Sequence, residues 1–253
     1  MLRQAFDRNK HVYHNEAFVE LVRDAIRFFN GTPVHCLPPL ERFLGTGVYA
    51  LYYTGSNPLY TRYKELNRLS YDFPIYVGKA VPGGWRQSRI SDSESTQSNE
   101  LHRRLREHSR SISSSEDLNL SDFSCRFVIF EKEGSDMIGS IEAALIKINR
   151  PLWNSCVDGF GNHDPGSGRY EQARSDWDVI HTGRIWANRL NGTPNSKNNI
   201  VVLPQNKLAV IDGLEGYLIA ESDNVLLICK KDEEHSIRKY VNDAQIKLGD
   251  DYF

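Results

Sequence analysis

The pattern of apolar positions predicts a helix and then two strands in the first third of the chain. Apolar residues recur at helical spacing over residues 15–31, where Asn15 can cap the helix and Gly31 can end it. Two segments rich in aromatic and β-branched residues follow, GVYALYY at 47–53 and IYVGKA at 75–80. A polar connector of about 20 residues is compatible with an antiparallel hairpin that carries a decorated loop.

The remaining patterns predict more helices, one further strand of the same sheet, and a terminal group of short strands. These elements are a helix over 99–110, a strand over 123–132, a helix over 137–154 broken at Pro151, a helix over 175–190 opened by a Ser175/Asp178 capping box, short strands within 200–231 and a polar helix over 232–248. The predicted fold class is therefore α/β of the α+β kind: a small, mainly antiparallel three-stranded sheet flanked by helices, with decorating loops and a short β-rich appendage.

Composition fits a protein with one ordinary hydrophobic core. The chain has 253 residues, of which 40% are hydrophobic. The N-terminal residues lack the apolar segment of a signal peptide, and no run approaches the ~18 apolar residues of a membrane span, so we expect a cytoplasmic protein. The cysteines, which form no CxxC pair, argue against a zinc ribbon or a disulfide framework; they are Cys36, Cys125, Cys156 and Cys229.

The net charge of -2 conceals an asymmetry along the chain. Residues 212–253 hold 10 acidic and 5 basic residues, which leaves 23 of the 33 acidic and 26 of the 31 basic residues for 1–211. A mildly basic body is compatible with a nucleic-acid partner in spite of the acidic tail.

Two tyrosines and one helix face carry candidate chemistry. Strand alternation puts Tyr49 and Tyr76 on faces that antiparallel pairing can bring together, although tyrosines in strands more often only pack. Arg104 and His108 are four residues apart and share a helix face. That face is either a solvated basic surface or a site where guanidinium grips phosphate and imidazole moves a proton. Further arginines, Arg86, Arg89, Arg103, Arg106 and Arg110, would extend the positive field.

Glu142 and Asn154 are the other candidates. Glu142 lies among apolar residues at helical spacing, where a carboxylate needs a cation, so it is either a buried ion-pair member or a ligand of a divalent metal. Asn154, just past Pro151, is most simply a residue that satisfies loop backbone. His163 and Asp164 lack a partner at ligand spacing, which argues against a metal site there.

Together these residues resemble the GIY-YIG nucleases. GVY and YVG stand where that family has GIY and YIG, and Arg104, His108, Glu142 and Asn154 follow in the family's order on the expected elements. The chain is most similar to the branch of type II restriction endonucleases that cut the palindrome CCGCGG. The resemblance covers about residues 45–155.

The resemblance implies a role for each residue. Glu142 would hold one divalent cation, Mg²⁺, at the scissile phosphate, and Arg104 would bind that phosphate. Tyr49 would contact the attacking water, Tyr76 would orient water or phosphate, and Asn154 would hold the site together. An ordinary phenol, with a pKa near ~10, is a poor base at neutral pH. Tyr49 must therefore be acidified by the metal and Arg104 or pass its proton to His108, and we favour His108 as the proton acceptor.

The resemblance also implies partners. Cutting both strands of a palindromic double-stranded DNA calls for a homodimer, and a restriction enzyme has a cognate DNA methyltransferase as its functional companion. The loops at 55–74, 81–98 and 157–175 are expected to read bases. The alternatives are a homing or repair endonuclease, which would need a separate targeting module, and a catalytically silent DNA-binding module on the same scaffold.

Four segments are predicted: an N-terminal helical extension at 1–44, the nuclease core at 45–155, a DNA-binding or dimerisation loop and helix at 156–200, and an appendage at 201–253. The appendage resembles the C-terminal end of bacterial mannose-1-phosphate guanylyltransferases. It lacks the upstream Gly-rich nucleotide loop of such enzymes, so we interpret it as non-catalytic. Binding of a sugar nucleotide through the tail would rest on this segment alone.

Overall fold

A four-stranded antiparallel sheet forms the centre of the fold in the computed structural model. The structure describes residues 6–82, 98–192, 199–204 and most of 207–248. The strands are β1 (His35–Cys36), β2 (Thr46–Tyr53), β3 (Tyr76–Ala80) and β4 (Phe123–Phe130), in the order β1-β4-β2-β3. The predicted fold class is confirmed, and the short β1, which pairs with β4, makes the sheet one strand wider than expected.

Strand β2 lies in the interior of the sheet, and its side chains pack into a hydrophobic cluster on each face. All eight of its residues are buried, and it pairs with β3 on one side and β4 on the other. Tyr49, Leu51 and Tyr53 belong to one hydrophobic cluster, whereas Val48 and Ala50 belong to the second. Successive side chains of β2 therefore alternate between the two faces of the sheet, as predicted, and both faces are covered by core residues.

Helices cover both faces of the sheet. In chain order the helices of the described residues are α1 (Glu16–Gly31), α2 (Thr61–Asn67), α3 (Glu100–Ser114), α4 (Ile138–Asn149), α5 (Leu152–Ser155), α6 (Asp176–Ile180) and α7 (Ile237–Leu248). Buried residues of α3 pack in the cluster that contains Tyr49, and buried residues of α1 and α4 pack in the other. The predicted cap of α1 forms, since the Asn15 side chain accepts a hydrogen bond from the backbone N–H of Phe18.

The helix predicted over 175–190 is wrong in its length. Its capping residue is as expected, because Ser175 Oγ accepts from the Asp178 backbone and also bonds the Asp178 carboxylate. The helix nevertheless ends at Ile180, and Gly183 has a φ of 128°. A Cβ at Gly183 would lie 1.9 Å from the backbone oxygen of Ser114, so the chain turns against α3 there instead of continuing as a helix.

The connector between β2 and β3 and the C-terminal region contain the remaining elements. The connector, predicted as a loop, holds α2. Near the C-terminus β5 (Ile200–Val202) runs parallel to β6 (Tyr217–Ser222), and β7 (Val225–Lys230) pairs antiparallel with β6. Most of the predicted loop at 81–98, with Arg86 and Arg89, lies outside the described residues. In the part of the chain that is described, no helix has the length and apolar character needed to span a bilayer.

Candidate active site

Tyr49 and Tyr76 meet on one face of the β2–β3 pair. In the register, Tyr49 lies opposite Gly78, and Tyr76 lies opposite Leu51. The two rings are therefore diagonal neighbours, with centroids 6.3 Å apart. The glycine is required by this arrangement, because a Cβ at Gly78 would lie 2.4 Å from the Tyr49 hydroxyl oxygen.

His108 reaches this face from helix α3. The Tyr49 hydroxyl and Nε2 of His108 are 2.6 Å apart, and both residues are buried. The Phe160 ring stacks on the His108 imidazole at a centroid distance of 4.6 Å and packs edge-on against Tyr76 at 4.9 Å. The imidazole is thus fixed on one side by a phenol and on another by an aromatic plane.

Burial keeps both members of this pair neutral. It raises the pKa of the Tyr49 phenol well above its ordinary value, and the positive charge of Arg104 offsets this only in part. Burial also lowers the pKa of His108 well below its ordinary value, and the charge of Arg104 acts in the same direction. At neutral pH the phenol therefore keeps its proton and donates it to an unprotonated Nε2.

Arg104 lies beside this pair, against the loop that follows α5. Its Nη2 donates to the backbone oxygen of Gly161 at 3.1 Å, and its Nη1 donates to Glu107 Oε2 at 3.1 Å. Nη1 also contacts Nε2 of His163. The guanidinium is consequently held in a fixed orientation before any substrate is present, which suits it to two-point recognition of a phosphate.

The loop that holds Arg104 is itself held by Arg184. This buried guanidinium pairs with Asp178 at 2.6 Å and donates to the backbone oxygens of Gly159, Phe160 and Asn162 at 3.0–3.3 Å. It also lies over the ring of Trp177 at 4.3 Å. Arg184 thus fixes the carbonyls that flank Gly161.

The sequence predicted that the loop at 157–175 reads bases, but it gave no sign of the contacts with Arg104 and Tyr76, which are distant in the chain. Gly161 lies close to two predicted site residues, since a Cβ there would be 2.8 Å from the Tyr76 hydroxyl and 3.6 Å from Nη2 of Arg104. The glycine-rich character of 157–168 was the available signal, but it carries no information about which helix the loop contacts. Asp164 has a local role, accepting from the backbone N–H of Gly166.

Glu142 forms the ion pair that was one of its two predicted environments. Its Oε2 lies 2.5 Å from Nζ of Lys79, and its side chain is mostly shielded. Lys79 is on the face of β3 opposite to Gly78, where α4 packs, and sequence reasoning did not single it out. The charge of Glu142 is close enough to raise the pKa of both Tyr49 and Tyr76, so the carboxylate belongs to the same electrostatic site.

The donor set around Glu142 fits a weakly ligated hard cation. Among the described residues, no group of three or more His, Cys, Asp or Glu side chains could hold a metal ion. One carboxylate is nevertheless enough for Mg²⁺, which typically keeps several waters and takes further oxygens from substrate phosphate. The carboxylate already attracts a cationic group, the Lys79 ammonium, which shows that its position favours positive charge.

Asn154 closes the edge of β3 rather than touching the tyrosines. Its Oδ1 accepts from the Val77 backbone N–H at 2.7 Å, and its Nδ2 donates to the Val77 oxygen at 2.8 Å. The amide therefore imitates a neighbouring strand at the residue between Tyr76 and Gly78. The structure thus brings Tyr49, Tyr76, Arg104 and His108 together on one face of the sheet. Glu142 comes from the helix on the other face and pairs with Lys79, and its charge still acts on both tyrosines, whereas Asn154 bonds the edge of β3.

Comparison with known proteins gives a family match that spans this site. A family model described as the Eco29kI GIY-YIG domain matches residues 41–205. The match includes every residue of the site described above, and it ends before β6 and β7. A search of curated proteins finds no match.

Proposed function

Because the chain belongs to the Eco29kI GIY-YIG family, we propose that it is a Mg²⁺-dependent type II restriction endonuclease that hydrolyses double-stranded DNA. The observation that carries this proposal is the buried hydrogen bond between Tyr49 and His108, with Arg104 beside it. A phenol, a neutral imidazole and a guanidinium in contact provide a proton path next to a phosphate-binding group. Packing alone does not require this combination.

In the proposed reaction Arg104 binds the scissile phosphate and Tyr49 contacts the attacking water. The water gives a proton to the Tyr49 oxygen while the phenolic proton passes to Nε2 of His108, which becomes imidazolium. The water oxygen forms its bond to phosphorus as the bond from phosphorus to the 3′ oxygen breaks, and the 3′ oxygen takes a proton from solvent to become a hydroxyl. The relay avoids a free phenolate, which the burial of Tyr49 makes costly.

Glu142 is the residue that would hold Mg²⁺, and Tyr76 would orient the water or the phosphate. The cation would supply charge neutralisation at the phosphate and at the leaving oxygen. Lys79 then has to share or release the carboxylate when the cation is bound, since both positive groups favour the same oxygens. Asn154 keeps Tyr76 and Gly78 in register by its two bonds to Val77.

The proposed target is a GC-rich palindrome, CCGCGG, cut by a homodimer whose two-fold axis coincides with that of the site. Guanine would be read by Arg or Lys at O6 and N7 from the loops at 55–74, 81–98 and 157–175. The proposed companion is a DNA methyltransferase that modifies the same sequence. The support for these finer statements is the resemblance of the motif residues to the branch that cuts this palindrome.

Plasmid cleavage tests the proposal. Wild-type protein with plasmid DNA and Mg²⁺ should give discrete fragments, and Glu142→Ala should give none. Sequencing of the fragment ends should return CCGCGG, and prior methylation of that sequence should protect the plasmid. A smear, or equal cutting by both proteins, would contradict a restriction enzyme with one metal-binding carboxylate; ends at a long asymmetric site would favour the homing or repair alternative.

A catalytically silent DNA-binding module is the second candidate, and the same assay separates it. Such a protein would retard a duplex in a gel without cutting it under any divalent cation. The position of Arg104 beside the buried Tyr49–His108 pair favours the nuclease over this candidate.

A further inference from the structure

A second concave surface lies on the other side of α3 from the catalytic groups. It is a groove of about 840 Å³ between the segment at 34–42, the start of β4 and helix α3. Leu37, Pro38 and Phe123 contribute to its apolar floor, and Arg42, His102 and Arg106 contribute its basic groups. None of the six proposed catalytic residues lines it.

The basic groups of this groove lie close enough to act on one another. His102 is buried against the edge of the Phe43 ring, at a centroid distance of 5.3 Å. Burial lowers the pKa of His102, and the charges of Arg106 and Arg42 lower it further, so both guanidinium groups are near the imidazole. Within the described chain, neither arginine forms an ion pair with a carboxylate.

The unpaired state of Arg106 contrasts with that of its neighbour in the sequence. Arg103, on the same helix, bonds both Glu100 and Glu107. Helix α3 could therefore neutralise its arginines, yet it leaves Arg106 exposed and uncompensated at the mouth of the groove. Convergent positive charge of this kind attracts an anion, and arginine binds phosphate with two parallel hydrogen bonds.

The exposed surface of α3 connects the groove to the catalytic site. Arg104 faces the catalytic loop, Arg106 faces the groove, and Arg110 lies one turn from Arg106 on the same face. An α-helix with side chains is about 10–12 Å across. For a duplex whose axis crosses α3, phosphates of one strand advance by about 3.4 Å of axis per nucleotide, which puts the groove about three nucleotides from a phosphate bound at Arg104.

We propose that this groove binds a backbone phosphate of the DNA strand that is cut, about three nucleotides from the scissile bond by the spacing above. Arg42 and Arg106 supply the charge, and neutral His102 supplies a further N–H donor. The inference rests on the proposed function, because DNA is the polyanion that the catalytic site would place across α3. The contact would carry no sequence information; it would fix the position of the duplex relative to the site.

Salt-dependent binding tests the groove. A labelled duplex containing CCGCGG is titrated with protein in Ca²⁺, which is chosen to suppress cleavage, at several KCl concentrations. Arg42→Ala/Arg106→Ala should bind more weakly and show a log–log salt slope smaller by about 0.9 for each phosphate that the protein no longer neutralises. Arg106→Lys, which keeps the charge, should retain most of the slope. The control Arg23→Ala/Arg27→Ala removes the same two positive charges from α1, whose buried residues pack in the cluster on the opposite face of the sheet, and should match wild type.

Neutral linkages in the DNA locate the bound phosphate. After the cut has been mapped, methylphosphonates placed two to four nucleotides from the cleaved bond should weaken binding by wild type. They should have a much smaller effect on Arg42→Ala/Arg106→Ala, because that variant lacks the guanidinium groups that would bind those phosphates. A methylphosphonate placed ten nucleotides from the cleaved bond should change the affinity of both proteins equally.

Two results would overturn the groove as a phosphate site. One is wild-type affinity and salt slope in Arg42→Ala/Arg106→Ala, which would leave the groove to a different occupant such as an acidic peptide. The other is equal weakening of both proteins by the methylphosphonates. Either result, together with normal plasmid cleavage by wild type, rejects the groove and keeps the nuclease; absence of cleavage and of duplex binding by wild type rejects both.

Discussion

The hydroxyl of Tyr49 and Nε2 of His108 are joined by a 2.6 Å hydrogen bond within the core, although the residues are 59 positions apart in the chain. Strand β2 supplies the phenol and α3 the imidazole, and both residues are buried. Burial makes the charged form of either group costly, so a proton can leave Tyr49 only if His108 accepts it. The pair acts as one unit.

We first expect that substitutions of Tyr49 and His108 have non-additive effects on activity. Tyr49→Phe and His108→Ala should each lower the rate of cleavage by about 10²–10⁴-fold, the contribution typical of a positioned acid–base group. The double variant should be little worse than the more damaged single variant, because either change already breaks the relay. Single-turnover cleavage of a short duplex measures all three; losses that multiply would show that the two side chains act independently.

The neutral state of His108 predicts how stability depends on pH. Its pKa is lowered in the folded protein and is near 6.5 when the chain is unfolded, so between these values the unfolded state binds the extra proton. The stabilisation is complete above about pH 6.5 and is lost as pH falls through that window. Urea unfolding between pH 5 and 7.5 should show a slope of up to about 1.4 kcal/mol per pH unit from this residue.

His108→Gln provides the control for that experiment, since it cannot titrate. The variant will be less stable overall, but its stability should fall less steeply below pH 6.5 than that of wild type. His181, whose pKa burial also lowers, titrates in both proteins and cancels in the comparison. Parallel curves would mean that His108 has similar proton affinity in the folded and unfolded states.

Local patterns were sufficient for the sheet and the residues on it, and insufficient for contacts between distant segments. Alternation in 47–53 and 75–80 placed Tyr49 and Tyr76 on one face, and the register supports this because Tyr49 lies opposite Gly78. The helix over 175–190 was overextended because its apolar content continues, whereas Gly183 must turn to avoid Ser114. Gly183 and Ser114 are 69 positions apart, and helical periodicity reports only on residues that are close in the sequence.

For the site residues, too, local patterns were informative and contacts between distant segments were not predictable. Spacing of four residues put Arg104 and His108 on related positions of α3, and the apolar neighbours of Glu142 indicated that it needs a cation. Lys79 was available as that cation, but only the packing of α4 against β3 reveals the pair. Arg184 gave no signal, because Asp178 is six positions away and its other hydrogen-bond partners are backbone carbonyls, which every residue has.

Loss of the Asn154 side chain should loosen the β3 edge. Asn154→Ala leaves the Val77 N–H and C=O without partners at a partly buried position, which costs about 1–3 kcal/mol for such groups. Asn154→Asp can still accept from the N–H but faces the Val77 oxygen with negative charge. We expect both variants to be destabilised in urea unfolding and to cut DNA slowly at temperatures where they remain folded. Wild-type stability in Asn154→Asp would contradict the two-bond arrangement.

Gly78 should be intolerant of even one methyl group. In Gly78→Ala the new Cβ would lie 2.4 Å from the Tyr49 hydroxyl oxygen, so the phenol has to move away from His108. The rate of cleavage should approach that of Tyr49→Phe. Gly139→Ala is the matched control: it lies in α4 with nothing within 4 Å of the added Cβ, and alanine should stabilise the helix by about 0.5–1 kcal/mol. Equal cleavage rates of Gly78→Ala and Gly139→Ala would show that the Tyr49 ring can move without loss of activity.

Arg184 should influence cleavage without contacting DNA. Its fork fixes the carbonyls of Gly159, Phe160 and Asn162, and the next link is the Gly161 oxygen that receives Nη2 of Arg104. Arg184→Lys keeps a positive charge for buried Asp178, so the protein should stay folded. Lysine cannot reproduce three donors in a planar fork, so the loop should lose its fixed position.

We therefore expect Arg184→Lys to lower kcat more than it raises KM, because a mobile Arg104 costs most when charge develops on the phosphate. The control is Arg189→Lys, which changes an exposed arginine bonded to the Tyr170 hydroxyl at 3.1 Å and should leave both constants near wild type. A purely structural role predicts a different pattern: Arg184→Lys would lose thermal stability while keeping kcat at low temperature. The direction of the kcat–KM split therefore decides whether the loop carbonyls position the phosphate-binding guanidinium or only complete the core.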